Sequence, residues 1–418
     1  MHRVGLITLH RDNYGSELQC FATKHYFESH GVGCDVLYLN QRGVEKLRAY
    51  IHKLMKYTLK AIRYRDFLQN RSEQKRAAEV ARASWAPESK WELDYFANSV
   101  LQPKGYDLRS LEDRRVRDIY DYFIVGSDQI WSGANNIDPF RFLEFAEDEK
   151  KVALSVSFGT SSLKDFNIAD FRRDVSRFKN LTVREQAGVD IVRSLTGREV
   201  PRLADPVILL DRSEWARFAK KSNCNQPAPY IFAHFLDEPS EAALRAISLL
   251  LKNRRLSLCI FGYPRKELDA LGDSIFIAGS PYDYVNLIEH ASYVCTDSFH
   301  TSQFSIIFNR AFMIFERNYV HSSKQSSRIE TMLDVYDCHN RLVGNEVTDI
   351  DDLPLDAPNF DAIRLIEQQE IRCYLGQFIK EKTDVSGQDS PARMSVANRA
   401  VRTIGNSMRT PPRRLRAR

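Results

Sequence analysis

The alternation of strand-like and helix-like segments most narrows the folds open to this chain of 418 residues. Short apolar runs recur between longer amphipathic segments, a pattern typical of parallel sheets in an α/β fold. The predicted strands form two groups: residues 4–9, 36–39, 122–125, 152–156, 181–184 and 202–203, then residues 230–234, 256–261, 275–278, 293–296 and 312–315. We therefore expect two Rossmann-like units with parallel sheets that face a cleft.

The domain boundaries follow from this grouping. A polar, proline-containing segment at 220–229 lies between the two groups of strands, and the chain length favours two domains. The prediction is an N-terminal α/β domain at 1–210, a C-terminal α/β domain with a terminal helix at 211–385 and a disordered tail at 386–418. Basic, helix-forming sequence at 41–118 interrupts the alternation and predicts a helical insertion in the first domain.

Charge is concentrated at the end of the chain. The eight arginines from Ser390 onward exceed the net charge of +5, so the remainder is mildly acidic. The tail fits contact with nucleic acid or anionic lipid, and it equally fits simple solvation, so no nucleic-acid partner is expected. Lysines alternate with apolar residues at 50–64, which leaves peripheral membrane contact open beside a solvated helix face.

Other classes of protein are disfavoured. No stretch approaches the roughly 18 uncharged apolar residues of a membrane span, and no signal peptide is evident, so we expect a cytoplasmic protein. The seven cysteines are scattered, without a Cys-x-x-Cys pair. Neither a disulfide framework nor a metal site is therefore predicted, and no cofactor is expected.

The stretch 293–300, Tyr-Val-Cys-Thr-Asp-Ser-Phe-His, carries the strongest functional signal. An apolar strand leads into a helix that Asp297 or Ser298 can cap, which places His300 in the first turn. Free N–H groups and the positive end of the helix dipole favour a phosphate or carboxylate at that point. The alternative is that His300 packs or hydrogen-bonds locally.

Polar residues also follow several other predicted strands. They include Asn13, Gly15, the block 126–131, the block 157–160, Arg184 and His234. In open parallel sheets, ligands bind outside the carboxyl ends of the strands. Two such sheets across a cleft would bring these loops together.

An ordered set of these blocks resembles the polysaccharide pyruvyl transferase family. It comprises Asn-Tyr-Gly at 13–15 with Leu18 and Gln19, Gly-Ser-Asp-Gln-Ile-Trp at 126–131, Ser-Phe-Gly at 157–159, Thr-Val-Arg-Glu at 182–185, Asp-Pro at 205–206, Thr-Asp-Ser-Phe-His at 296–300 and Ser-Ser-Arg-Ile at 326–329. The blocks span about four-fifths of the chain. One position departs from the pattern, because Thr301 stands where the family usually has glycine.

The resemblance implies a GT-B-like fold and a transfer reaction. Phosphoenolpyruvate would be the donor substrate, and a pair of hydroxyls on a sugar or lipid-linked glycan would be the acceptor. The product would be a pyruvate ketal, with phosphate released. Such a donor carries two anionic groups and calls for fixed cations.

The resemblance and the residue types together suggest roles in donor binding. His300 would contact the phosphate and serve as an acid, and Ser298 lies beside it. Arg184 would bind an oxyanion through its planar fork, unless it pairs with a nearby carboxylate. Arg328 would lie in a first helical turn, where a surface arginine is the alternative.

Acceptor contacts are predicted in the first half of the chain. Asp128 and Gln129 suit sugar hydroxyls, Asp128 is a candidate base, and Trp131 would offer an aromatic face to a sugar ring. A structural turn is the alternative for Asp128. Asn13 and Gly15 either shape a turn or admit a ligand to the backbone. His234 is a further candidate, with packing as its alternative.

Two rival functions remain open. A GT-B nucleotide-sugar glycosyltransferase shares the cleft but needs a ribose-binding carboxylate, and none is evident after the strand at 293–296. A non-catalytic glycan- or phosphate-binding protein is the other.

Overall fold

Two parallel sheets organise the computed structural model, which describes residues 2–11, 13–40, 85–132, 138–224, 229–317 and 327–379, together with Gln69 and Ser72. The strands of the first are β1 (Arg3–Ile7), β2 (Gly33–Leu39), β3 (Lys104–Tyr106), β4 (Tyr122–Val125), β5 (Lys151–Val156) and β6 (Asn180–Val183), in the order β3-β2-β1-β4-β5-β6. Those of the second are β7 (Tyr230–His234), β8 (Ser257–Phe261), β9 (Ser274–Ile277), β10 (Tyr293–Thr296) and β11 (Phe312–Ile314), in the order β11-β10-β7-β8-β9. The predicted α/β fold with two parallel sheets is confirmed.

Helices connect the strands on both sheets. Those in the described residues are α1 (Tyr14–Ser29), α2 (Pro87–Phe96, continued by a π-helical turn at Ala97–Leu101), α3 (Leu108–Glu112), α4 (Arg114–Arg117), α5 (Ile168–Ser176), α6 (Gln186–Thr196), α7 (Arg212–Ala219), α8 (Glu241–Asn253), α9 (Lys266–Asp269), α10 (Pro281–His290), α11 (Phe299–Phe308), α12 (Ser327–Tyr336) and α13 (Asp361–Gly376). Short 3₁₀ helices cover Asp148–Lys150, Asp165–Asn167, Pro206–Leu209, His339–Arg341 and Ile350–Asp352. No helix among the described residues is both long and apolar enough to cross a bilayer.

Local sequence explains where several helices begin and end. Asp211 and Glu214 form a reciprocal capping box at the start of α7, and Ser280 and Asp283 do the same for α10. Helix α6 ends at Gly197, whose φ of 70° is the left-handed conformation that glycine adopts without strain. These signals fix the helix ends independently of the core.

The register of the strands sets where the polar loops meet. Ile7 of β1 lies opposite Val125 of β4, and Thr296 of β10 lies opposite His234 of β7. Because all strands in each sheet run parallel, the loops after β1, β4, β5 and β6 gather at one edge of the first sheet. The loops after β7 and β10 gather at the corresponding edge of the second sheet.

One apolar cluster contains buried residues from both sheets. Leu6 of β1 and Phe232 of β7 both belong to it, as does Trp215 of α7, whose ring lies 4.9 Å from that of Phe304 in α11. The Trp215 indole donates to the carbonyl of Val207 at 2.8 Å. The segment 206–219, which connects the two sheets, is therefore anchored in the core. This anchoring fixes the position of Asp205, the residue that precedes the segment.

Several sequence predictions need correction. The insertion at 41–118 is not purely helical, because β3 joins the edge of the first sheet beside β2. Residues 202–203 form no strand, and only a single bridge joins Arg202 to Val183. The sequence predicts a loop at 10–16, but helix α1 begins at Tyr14 because the Asn13 side chain caps it.

The domain boundaries stay a prediction. Residues 1–379 pack as one compact unit, and the second unit, residues 380–418, lies outside the described residues together with the predicted arginine-rich tail. The basic stretch at 50–64, considered for membrane contact, also lies outside them.

Candidate active site

His300 lies in the first turn of α11, as predicted. The Ser298 side chain caps this helix by accepting from the Thr301 N–H at 3.4 Å. Asp297 has a different task, because its two oxygens accept from the N–H groups of Leu236 and Asp237 at 2.7 and 3.0 Å. The imidazole is held in the interior, only 5% exposed.

His300 packs directly on Gly15 of α1. A Cβ built on Gly15 would lie 2.6 Å from the His300 Cβ, and closer still to the ring atoms Nδ1 and Cγ. The Asn13 side chain caps α1 by accepting from the N–H groups of Gly15 and Ser16 at 2.9 and 3.2 Å. The first turns of two helices, one from each sheet, therefore meet, and glycine is required at 15 because the imidazole occupies the space of a side chain.

Asp205 joins His300 to Arg184. Its Oδ2 atom accepts a hydrogen bond from Arg184 Nη1, lies 3.5 Å from His300 Nε2, and accepts from Ser127 Oγ at 3.2 Å. Burial alone would raise the pKa of this carboxyl, but the adjacent His300 and Arg184 hold it below its usual range. Residues from both sheets thus share one carboxylate.

Asp128 forms a second junction beside the first. Its Oδ2 accepts from Ser16 Oγ at 2.5 Å, and its Oδ1 lies 3.4 Å from Arg184 Nη2 and 3.9 Å from Arg328 Nη1. Burial opposes ionisation here too, but His300 and the two arginines lower the pKa of Asp128. We conclude that it is a carboxylate at neutral pH.

Both arginines lie near one aromatic ring. The Arg184 guanidinium carbon is 4.7 Å from the centre of the Phe299 ring, and that of Arg328 is 5.9 Å from it. Burial and the charge of Arg184 lower the pKa of Arg328 to about 10. Helix α12, which carries Arg328, is fastened to the first sheet by the Gln186 N–H, which donates to Thr331 Oγ1 at 3.2 Å.

Glu185 shapes the neighbouring loop. Its Oε1 accepts from Ser157 Oγ at 2.9 Å and from the N–H groups of Phe158 and Gly159 at 2.8 and 3.1 Å. Gln129 packs against this loop, since a Cβ on Gly159 would lie 2.8 Å from its Cδ. Glu185 therefore fixes the turn after β5 next to the arginine that follows β6.

Among the residues that the structure describes, the charges at this junction are closely balanced. The cationic groups are Arg184, Arg328 and, when protonated, His300, and the carboxylates are Asp128, Asp205 and Glu185. The ion pair offered above as the alternative for Arg184 is therefore present. Such a network fixes the guanidinium groups in place, and fixed cations stabilise charge that develops on a bound substrate at no cost of reorganisation.

The structure places two predicted site residues elsewhere. Trp131 is 1% exposed and stacks on Phe142 with ring centres 4.9 Å apart, so the expectation of an open face for a sugar ring is wrong. His234 packs among aromatic rings that include Tyr14 and Tyr284, and its Nδ1 lies 3.1 Å from the carbonyl oxygen of Phe261. Burial lowers the pKa of His234 to about 3.

Thr301, which stands where the family usually has glycine, is larger than glycine but does not narrow the approach to the first turn of α11. Its hydroxyl forms a hydrogen bond of 2.7 Å with the Tyr284 hydroxyl, and the whole residue is buried. The side chain thus faces the aromatic core.

Three residues of the site were not predicted from the sequence. Asp205 stood in a recognised block but was given no role, and its signal was an Asp-Pro pair at a helix start. Ser16 and Phe299 carried no distinctive signal, because their contacts with Asp128 and the arginines form only when distant segments fold together.

The fold and the site define an α/β protein whose two sheets share a buried cluster of histidine, arginine and aspartate. The family model for polysaccharide pyruvyl transferases matches residues 13–319, and the chain belongs to that family. It is therefore a transferase.

Solved structures of similar fold were also found. They include UDP-N-acetylglucosamine 2-epimerase from Rickettsia bellii (11% identity, 90% of this chain and 97% of that chain, TM-score 0.44). Another is MnaA from S. aureus with UDP (11% identity, 99% and 100%, TM-score 0.44). A third is the wall teichoic acid polymerase TagF (11% identity, 98% and 90%, TM-score 0.40). A search among curated proteins gave no match.

Proposed function

We propose that the protein transfers the pyruvyl group of phosphoenolpyruvate to two hydroxyls of one sugar in a polysaccharide or its precursor, a lipid-linked glycan included. Family membership supports a transferase of this kind. The observation that carries the proposal is the junction at Asp205, where His300 from the second sheet and Arg184 from the first approach the same oxygen. A small dianion needs cationic groups and helix N-termini this close together.

The proposed reaction balances without a cofactor. The first sugar hydroxyl adds to C2 of phosphoenolpyruvate while C3 takes a proton and becomes a methyl group. The phosphate then leaves with the electron pair of its bond to C2, and the second hydroxyl replaces it to form the ketal. Of the two hydroxyl protons, one is equivalent to that gained at C3 and the other leaves on phosphate.

Donor binding is assigned to the cationic side of the site. Arg184 and Arg328 both lie near the Phe299 ring and near the same oxygen of Asp128, so their charges are close together. His300 is assigned contact with the phosphate and proton delivery, which typically contributes about 10²- to 10⁴-fold in rate. Ser298 fixes the first turn of α11 and so positions the imidazole.

The two aspartates have distinct proposed roles. Asp205 orients His300 and Arg184 and is a positioning residue. The pKa of Asp128 is lowered, whereas an efficient general base has a pKa near the working pH. Its contacts suit it better to hold the arginines and to accept from a sugar hydroxyl. Asn13 and Gly15 shape the first turn of α1 beside them.

Ligand-induced thermal stabilisation tests the proposal. We expect millimolar phosphoenolpyruvate to raise the melting temperature, and equimolar UDP-N-acetylglucosamine or GDP-mannose to leave it unchanged. The shift should vanish in His300→Ala and persist in His339→Ala, a histidine of the same half whose side chain is 60% exposed. Stabilisation by a nucleotide sugar alone would instead favour the glycosyltransferase alternative. Response to none of these ligands would favour the non-catalytic one.

A further inference from the structure

A pocket outside the His300 site opens at the carboxyl ends of β1 and β2. Its volume is about 410 Å³, within the usual range of roughly 300–1,000 Å³ for ligand pockets. In the order β3-β2-β1-β4-β5-β6, the chain proceeds outward from β1 to β2 and β3 and then returns to β4 on the other side of β1. Ligands of open α/β sheets bind in the crevice at such a switch point, here between β1 and β4, and the pocket adjoins it with lining residues from the ends of β1 and β2 and from the segment after β4.

The lining of the pocket combines aromatic rings with charged groups. Tyr38 and Phe140 contribute rings, Arg11 and Arg141 contribute guanidinium groups, and Asp138 contributes one carboxylate. The Arg11 guanidinium carbon lies 5.4 Å from the centre of the Tyr38 ring, and Arg141 Nε lies 3.7 Å from Asp138 Oδ2. Among the described lining residues, two guanidinium groups against one carboxylate favour a ligand with a negative charge, and the rings suit the apolar face of a sugar.

Buried contacts hold one wall of this pocket in place. The Trp131 indole donates to the backbone carbonyl of Arg141 at 2.9 Å, and stacking on Phe142 fixes the indole in turn. Trp131 thus supports the pocket from behind, although it offers no face to a sugar itself. A rigid wall reduces the ordering cost of binding.

The pocket is continuous with the loop that carries Asp128. Two lining residues touch this loop: Thr8 Oγ1 donates to the Ser127 carbonyl at 3.4 Å, and the Ile130 N–H donates to the Asp128 carbonyl at 2.8 Å. The pocket therefore adjoins the loop that carries Asp128. A glycan longer than one sugar has the reach to occupy both places.

We propose that this pocket binds an anionic sugar unit of the acceptor, one that carries a carboxylate or a phosphate, next to the sugar that receives the pyruvyl group. The assignment deepens the proposed function and rests on it. Arg11 and Arg141 bind the anion, and Tyr38 and Phe140 contact the ring. Specificity for the acceptor then comes from charge as well as shape.

Calorimetric binding of matched sugars tests the assignment directly. The probes are cellobiose, its counterpart with one glucuronic acid, and glucose 1-phosphate. Charge-assisted hydrogen bonds contribute about 1.5–3 kcal/mol, so we expect at least one anionic probe to bind about tenfold or more tighter than cellobiose. Arg11→Ala and Arg141→Ala should remove this preference. Arg114→Ala, which deletes an equal charge from a side chain that is 85% exposed in the same half of the chain, should keep it.

The outcomes separate this inference from the proposed function. Equal affinity for all three probes, or an unchanged preference in both pocket variants, would overturn the inference. Stabilisation by phosphoenolpyruvate should survive in both variants, which also shows that they are folded, because neither arginine belongs to the His300 site. If phosphoenolpyruvate fails to stabilise the wild type while the pocket still selects anionic sugars, the transferase proposal fails and the glycan site stands. The stronger anionic probe identifies the charged group.

Discussion

The imidazole of His300 occupies the space that a side chain at residue 15 would need. An added Cβ at Gly15 would lie 2.6 Å from the His300 Cβ, a separation that real Cβ contacts do not show. Since Gly15 belongs to α1 and His300 to α11, this contact sets how closely the helices of the two sheets approach. Absence of a side chain is thus a structural requirement of the site.

Gly15→Ala should impair the site more than the fold. The methyl group has to displace His300 or the first turn of α1, and overpacking of this kind costs about 1–3 kcal/mol. We expect a lower melting temperature and a loss of phosphoenolpyruvate stabilisation. Gly376→Ala is the matched control, because a Cβ at this helical glycine meets nothing within 4 Å. Equal behaviour of the two variants would contradict the account.

Asp205→Asn should reveal how strongly the shared carboxylate stabilises the junction. Removal of one charge from a buried ion pair costs about 3–5 kcal/mol because the other charge is left unpaired. The pKa of Asp205 is below its usual value in the folded protein, so its contribution is complete above the unfolded pKa of about 3.9 and is lost as pH falls further.

Urea unfolding at several pH values measures this contribution. The difference in unfolding free energy between wild type and Asp205→Asn should be largest at pH 5–7 and should narrow toward pH 3. Asp190→Asn, in an exposed pair with Arg193, should cost less than about 1 kcal/mol. A difference for Asp205→Asn that is small at pH 7, or independent of pH, would show that the junction is not held by charge.

His234 predicts a separate pH effect on stability. The pKa of this buried imidazole is lowered to about 3, from an ordinary value of about 6.5. At a pH between these two values, the imidazole of His234 therefore carries a proton in the unfolded chain but not in the folded protein. Stability due to the neutral ring is complete above pH 6.5 and falls below it, by up to about 1.4 kcal/mol for each pH unit.

The variant His234→Gln should flatten this loss between pH 6.5 and 4.5. Its amide retains a donor for the Phe261 carbonyl but does not titrate. The control is His290→Gln, which removes an exposed histidine from the end of α10. Parallel curves for wild type and His234→Gln over this range would refute the prediction.

Sequence predicted the architecture well because its signals are local. Apolar strand runs and capping residues such as Ser298 act over a few positions, and they gave ten of the strands in the described residues nearly in place. Strand β3 was missed because Lys-Gly-Tyr at 104–106 is short and half polar, and it forms by pairing with the edge of β2.

The candidate site was harder to predict because its geometry depends on distant contacts. Glycine at 15 was explained by turn freedom or ligand approach, whereas the structure shows that a histidine 285 positions away fills the space. Trp131 follows a polar loop and looked accessible, but the ring of Phe142 stacks on it. Neither contact can be predicted from the residues next to it in the sequence.

The most direct test of the central claim follows the donor carbon itself. Wild-type protein is incubated with phosphoenolpyruvate labelled with ¹³C at C2 and a panel of oligosaccharides with neighbouring hydroxyls, and ¹³C NMR is recorded alongside inorganic phosphate. We predict a ketal carbon signal and equimolar phosphate with at least one acceptor, both absent in His300→Ala and present in His339→Ala. A ketal formed at an undiminished rate by folded His300→Ala would contradict the account.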